Sequence, residues 1–194
     1  GSMNISDLTT YTYSSQNLGA ADPNRWIVVC VYGVTNTARS ISTVTVGGVS
    51  ATKIVQAEGS TVFRHVSIWV AQVPSGTTGD IVVTWSAGVS RCGYSAYRLI
   101  TETAPTSPFD TQTDLTLTSS DLSVSISRPS GGVIVAATVN ISSTATSVTW
   151  SGATEDFDGN WSEATSQGGS SSSASSGASP VTVTATIAGT PTAN

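Results

Sequence analysis

Glu155, Asp156 and Asp158 lie within four residues of one another, just ahead of Gly159-Asn160-Trp161, with Glu163 beyond. Closely spaced carboxylates and an amide oxygen, with a glycine to bend the chain, are what a hard cation such as calcium selects. Asp156 and Asp158 are the ligands such an ion would take, although the distal glutamate and flanking helices of an EF-hand are absent. The plainer reading of the same residues is a solvated acidic turn. A pair of these carboxylates could serve a glycosidase only if they stood about 5–10 Å apart across a sugar, and nothing nearby suggests that cleft. Trp161, beside the acids, is the aromatic most open to recognition, with a flat face on which a sugar ring could stack. Glu155, Asp156, Asp158, Asn160 and Trp161 therefore form the candidate ligand-binding set.

Other chemistry is hard to assemble. His65 is the single histidine, on a strand face with Phe63 and Trp69, and reads as a partly exposed structural residue. No G-x-S-x-G elbow offers a nucleophile for it to activate. Zinc would need several His or Cys ligands at close spacing, which the chain cannot supply. Cys30 and Cys92 both fall inside apolar strand patterns, where burial raises a thiol pKa and makes it inert. They read as two small hydrophobes; whether they pair depends on strand register. Trp26, Trp69, Trp85 and Trp150 sit on strand patterns and are expected in the core. No catalytic set emerges and no cofactor is expected, so the chain is read as a non-enzyme.

The elements that must hold these residues are strands. Charged residues make up only 10% of the 194-residue chain, while Ser and Thr fill about a third. Abundant Thr and Val with few Lys, Glu or Leu oppose helix and favour pleated, half-buried strands. Short alternating runs separated by turn residues recur throughout. Arg25 to Tyr32 (RWIVVCVY) is the strongest apolar run in the first half, apolar on both faces, which predicts a central strand or one covered by a second layer or another subunit. Gly47-Gly48 predicts a turn into the run from Thr52. Val62 to Val73, Asp80 to Trp85, Cys92 to Ile100, Asp114 to Leu117, Leu122 to Ile126, Gly132 to Val139, Ser147 to Trp150 and Val181 to Ile187 follow. Glu155 to Trp161 is expected as a loop, and the Ser/Gly-rich stretch 168–179 as a flexible exposed one.

Together these predict an all-β, two-sheet antiparallel sandwich, jelly-roll-like, over a single domain 3–194, with residues 1–2 a tag remnant. The net charge of −5 and the scattered arginines provide no basic stripe for nucleic acid. No run approaches the ~20 apolar residues of a membrane span.

The runs Arg25–Tyr32, Val44–Thr52, Ile68–Thr77 with Ile81–Trp85, Gly131–Ala136 and Val148–Gly152 share one style of strand and glycine-containing turn. Together they resemble a β-sandwich module of structural proteins in tailed bacteriophages, prophages and gene-transfer particles, over roughly Thr9 to Ile187. The resemblance implies a virion location, in a tail, fibre, spike or head-decoration part. It also implies a homo-oligomer, often a trimer, that binds other virion proteins and in some cases a host-surface glycan. The alternative is a carbohydrate-binding module with its sugar site at Trp161 and the acidic residues.

Overall fold

The computed structural model describes residues 1–35, 37–59, 64–115, 121–142, 147–161, 166–174 and 179–188. Within them lie fifteen strands and no helix. In chain order these are β1 (Ser2–Asn4), β2 (Leu8–Asn17), β3 (Arg25–Val34), β4 (Ile41–Val46), β5 (Val49–Ser50), β6 (Thr52–Glu58), β7 (Arg64–Gln72) and β8 (Thr78–Val89). The remainder are β9 (Arg91–Ile100), β10 (Asp121–Ile126), β11 (Ile134–Ser142), β12 (Val148–Ser151), β13 (Thr154–Asn160), β14 (Ser166–Ala174) and β15 (Val181–Ile187). The expected strand at Asp114–Leu117 is not formed at Asp114 and Leu115; the rest of it lies outside the described residues, as do Val62 and Phe63.

The first nine strands build an antiparallel sandwich, a five-stranded sheet β1-β9-β3-β7-β6 facing a four-stranded sheet β2-β8-β4-β5. Its winding is nested: β6 pairs with β7, β4 with β8 and β3 with β9. Successive pairs fall alternately in the two sheets, as in a jelly roll. Between β4 and β5 the two-residue loop Gly47-Gly48 has φ of 57° and 80°. A tight hairpin turn needs positive φ at both positions, which glycine adopts without strain. The core between the sheets is filled by Tyr11, Val29, Val31, Val44, Ile81, Val83 and Trp85, each at most 1% exposed.

β3 lies at the centre of the five-stranded sheet, flanked by β7 and β9. Ile27, Val29 and Val31 face the sandwich core, whereas Cys30, Tyr32 and Val34 point the other way into a second cluster with Trp161. That outer face is covered by a three-stranded sheet, β11-β14-β13. Val135, Ala137, Val139 and Phe157 from the covering sheet, and Val66, Ile68 and Tyr97 from the sheet beneath, pack around that same cluster. The second layer is thus supplied by the same chain. A further three-stranded sheet, β10-β15-β12, stands beside it around Val148, Ala185 and Ile187.

One end of the sandwich is tied by Arg25, the first residue of β3, which is fully buried. Its Nε donates to the Val73 carbonyl at 2.6 Å, and Nη1 donates to Leu18, Gly19 and Ala20. Nη2 donates to the Ser75 and Gly76 carbonyls at 2.7 and 2.8 Å. The connections β2–β3 and β7–β8 are therefore held by one planar cation, whose five donors sit in a fixed fork. Removing it strands several buried carbonyls at once. Arg25→Met is expected to lower unfolding free energy by about 3 kcal/mol or more, read from urea denaturation midpoints. Arg25→Lys should recover only part of that loss, because a point ammonium cannot reach both loops in one plane.

Candidate functional site

Glu155, Asp156, Asp158 and Asn160 are not on a loop but on β13, an edge strand paired antiparallel with β14. A register shift between Glu155 and Phe157 leaves Asp156 as the extra residue of a bulge. Such an insertion kinks the strand and re-aims a side chain. Asp156 Oδ2 accepts from Ser173 Oγ at 2.7 Å, whereas Asp158 Oδ2 accepts from the Val148 backbone N–H of β12 at 3.0 Å. The two aspartates thus serve different neighbours. Partial burial pushes the Asp158 carboxyl up despite that hydrogen bond. Glu155 is raised as well, by desolvation first and then by the charge of Asp158. Asn160 closes the strand, half-buried, opposite Gly168. Among the described residues no three His, Cys, Asp or Glu side chains come together as a metal set. Glu163 lies outside them.

Trp161 corrects the sequence reading outright: it is 1% exposed. Its ring joins Cys30, Tyr32 and Val34 between the layers, and Nε1 donates to the Cys92 carbonyl at 3.3 Å. A large aromatic beside an apolar layer gains more from burial than from standing in water. Trp69 and Trp85 lie in the core as expected, while Trp26 and Trp150 are half-buried.

Strand β14 is the second correction. The segment expected as a flexible loop forms, over Gly168–Ala174, part of the central strand of the covering sheet; residues 175–178 lie outside the described set. Ser170 and Ser171 are fully buried, and their hydroxyls are used. Tyr97 Oη donates to Ser171 Oγ at 2.7 Å; Ser171 and Ser95 hydroxyls meet at 2.8 Å, and Ser95 meets Tyr32 Oη at 2.7 Å. On the other face Trp150 Nε1 donates to Ser170 Oγ, which donates to the Phe157 carbonyl, both at 2.8 Å. A Cβ added at Gly169 would overlap the Tyr32 ring, so glycine there sets how closely the layers approach. The run of glycine and serine carries no apolar alternation, so nothing in it signals a strand.

The reactive groups are equally committed to packing. Cys30 faces the covering sheet and Cys92 the sandwich core, opposite faces of one sheet, so both thiols are free. Burial pushes each up to about 12. His65 is not partly exposed but 1% exposed, edge-on to Trp85 with ring centroids 5.0 Å apart, and Nε2 lies 3.1 Å from Ser67 Oγ. Desolvation first, and Lys53 second, lower its pKa to about 4.

A large opening lies between the outer face of β6 and β7 and the wall formed by β10, β11 and β15. Its volume is about 510 Å³. A sealed, dry cavity of that size would cost roughly 12 kcal/mol at about 24 cal/mol per Å³. The space is tenable because it is partly open to solvent. Val66, Ile68 and Val70 form its floor, Val183 and Ile187 part of the wall, and the connection carrying Phe109 its rim. Sequence reasoning missed it because its lining comes from segments far apart in the chain. Comparison with protein-family models, with curated proteins and with solved structures returned no match.

Two outcomes follow from this geometry. Ser171→Ala removes the hydroxyl shared by Tyr97 and Ser95, and should cost about 1–3 kcal/mol in thermal or urea unfolding. For His65 the folded pKa of about 4 lies below the unfolded ~6.5. Between those values the unfolded chain holds a proton that the folded chain does not. Stability is therefore fully present above about pH 6.5 and falls as pH drops toward 4, by up to roughly 3 kcal/mol. His65→Phe should flatten that part of the pH–stability curve relative to the native chain.

Proposed function

We propose that this protein is a non-enzymatic structural or attachment module of a virus particle, in a tail, fibre, spike or head-decoration part. It acts by assembling with copies of itself, as a trimer, and by binding other virion proteins and the host surface. The observation that carries this reading is the use of Cys30, Cys92 and His65 as packing groups within a stack of sheets. A buried thiol held near 12 is no nucleophile at neutral pH, and a histidine lowered to about 4 holds no proton to give. The resemblance in strand patterning supports the particle setting. Phe109, Leu115 and Val133, each more than 40% exposed, supply apolar surface of the kind that contacts use.

The carbohydrate-binding alternative loses its stacking residue with the burial of Trp161. Light scattering coupled to size exclusion is expected to return a mass three times the 19.7 kDa of one chain. A strict monomer that also fails to bind virion proteins and host cells would remove this reading.

A further inference from the structure

We infer that the groove between β7 and β15 binds a single-chain amphiphile, a linear hydrocarbon ending in a carboxylate, with the carboxylate on Arg64. The inference is independent of the virion reading. At about 510 Å³ the space falls within the range of small-molecule sites.

The character of its walls selects the ligand. Floor and facing wall are sheet faces, with Val66, Ile68 and Val70 on β7 opposite Leu122, Val183 and Ile187 on β10 and β15. The backbone amides of β7 and β15 are engaged in ladders with strands on both sides, β3 and β6 for one, β10 and β12 for the other. Those faces therefore offer side chains and no spare backbone donors. A peptide laid there would bury its own amides without partners, at the full desolvation cost of each. A hydrocarbon has none to satisfy.

The charge at the rim selects the head group. Arg64, the first residue of β7, lines the groove at 8% exposure, and Arg128 lines it too. Two of the chain's seven basic residues thus border this opening in a protein of net charge −5. The acidic lining is already engaged: Asp110 accepts the Ser127 backbone N–H at 2.7 Å and Asp114 that of Ser123 at 2.8 Å. A guanidinium has five donors and can take a carboxylate in a two-point grip alongside a partner within the protein. Burial disfavours the charge on Arg64, and a ligand carboxylate beside it offsets that penalty.

The test uses isothermal calorimetry on the full chain with dodecanoic acid and dodecanol, both below their aggregation concentrations. Dodecanoate is expected to bind saturably at one per chain and dodecanol about tenfold more weakly, the weight of one charge-assisted pair. Ile68→Trp, which fills the floor, should abolish binding of both. Arg64→Gln should bring acid and alcohol to equal affinity. Because Arg64 is buried and its replacement can unfold the chain, a diazirine-bearing dodecanoate is also photolysed on the native protein. Label is expected on peptides from β7 and β15. Equal affinity of acid and alcohol for the native chain, absence of saturable binding, or label confined to other strands would each overturn the inference. So would an apolar hexapeptide with a free C-terminus that competes dodecanoate away.

Discussion

Burying both faces of one strand is the constraint from which the rest of the molecule follows. β3 carries Ile27, Val29 and Val31 toward one side and Cys30, Tyr32 and Val34 toward the other. A sheet with such a strand at its centre cannot leave either face in water, since each uncovered Val or Tyr would forgo roughly 1.5–3 kcal/mol of burial. The four-stranded sheet covers the inner face and β11-β14-β13 the outer. Arg25, at the head of the same strand, then draws in the two connections that close that end. The layered order is a response to one sequence run.

Between the outer layers the packing is of a different kind. The sandwich core is filled by large aliphatic and aromatic groups, but the seam at β14 is built from glycine and serine. Small residues permit close approach, and the approach makes buried hydroxyls affordable only if each finds a partner. Tyr32, Ser95, Tyr97 and Ser171 meet that condition as a chain of hydroxyls. Such a network adds little net energy per bond; register is specified where a side chain cannot fit, as at Gly169, where a Cβ would overlap the Tyr32 ring. Tyr32 and Phe157 stack across the same seam at 6.1 Å.

How legible this was depended on side-chain type. Arg25–Tyr32, Asp80–Trp85 and Val181–Ile187 announce themselves by apolar content and period-two alternation, and all are strands. Gly47-Gly48 announced its turn by the backbone freedom that only glycine has. Thr154–Asn160 and Ser166–Ala174 did not, because acidic and small residues have low strand propensity and tertiary pairing overrode it. The acidic cluster was correctly located in sequence but not in space: a bulge and different hydrogen-bond partners separate Asp156 from Asp158. Trp161 was misplaced because its polar neighbours suggested solvent, while its ring reaches the layer beneath. The groove was invisible because its lining converges only after the two halves pack.

The sheet that covers β3 is made of residues 134–174, whereas the sandwich it covers is finished by Ile100. During synthesis from the N-terminus, the earlier strands therefore leave the ribosome with Val28, Cys30, Tyr32 and Val66 still lacking their lid. For the time needed to add some seventy further residues, roughly several seconds at 5–20 per second, that apolar surface stays in water. A chaperone, or another copy emerging from the same message, would meet it there first.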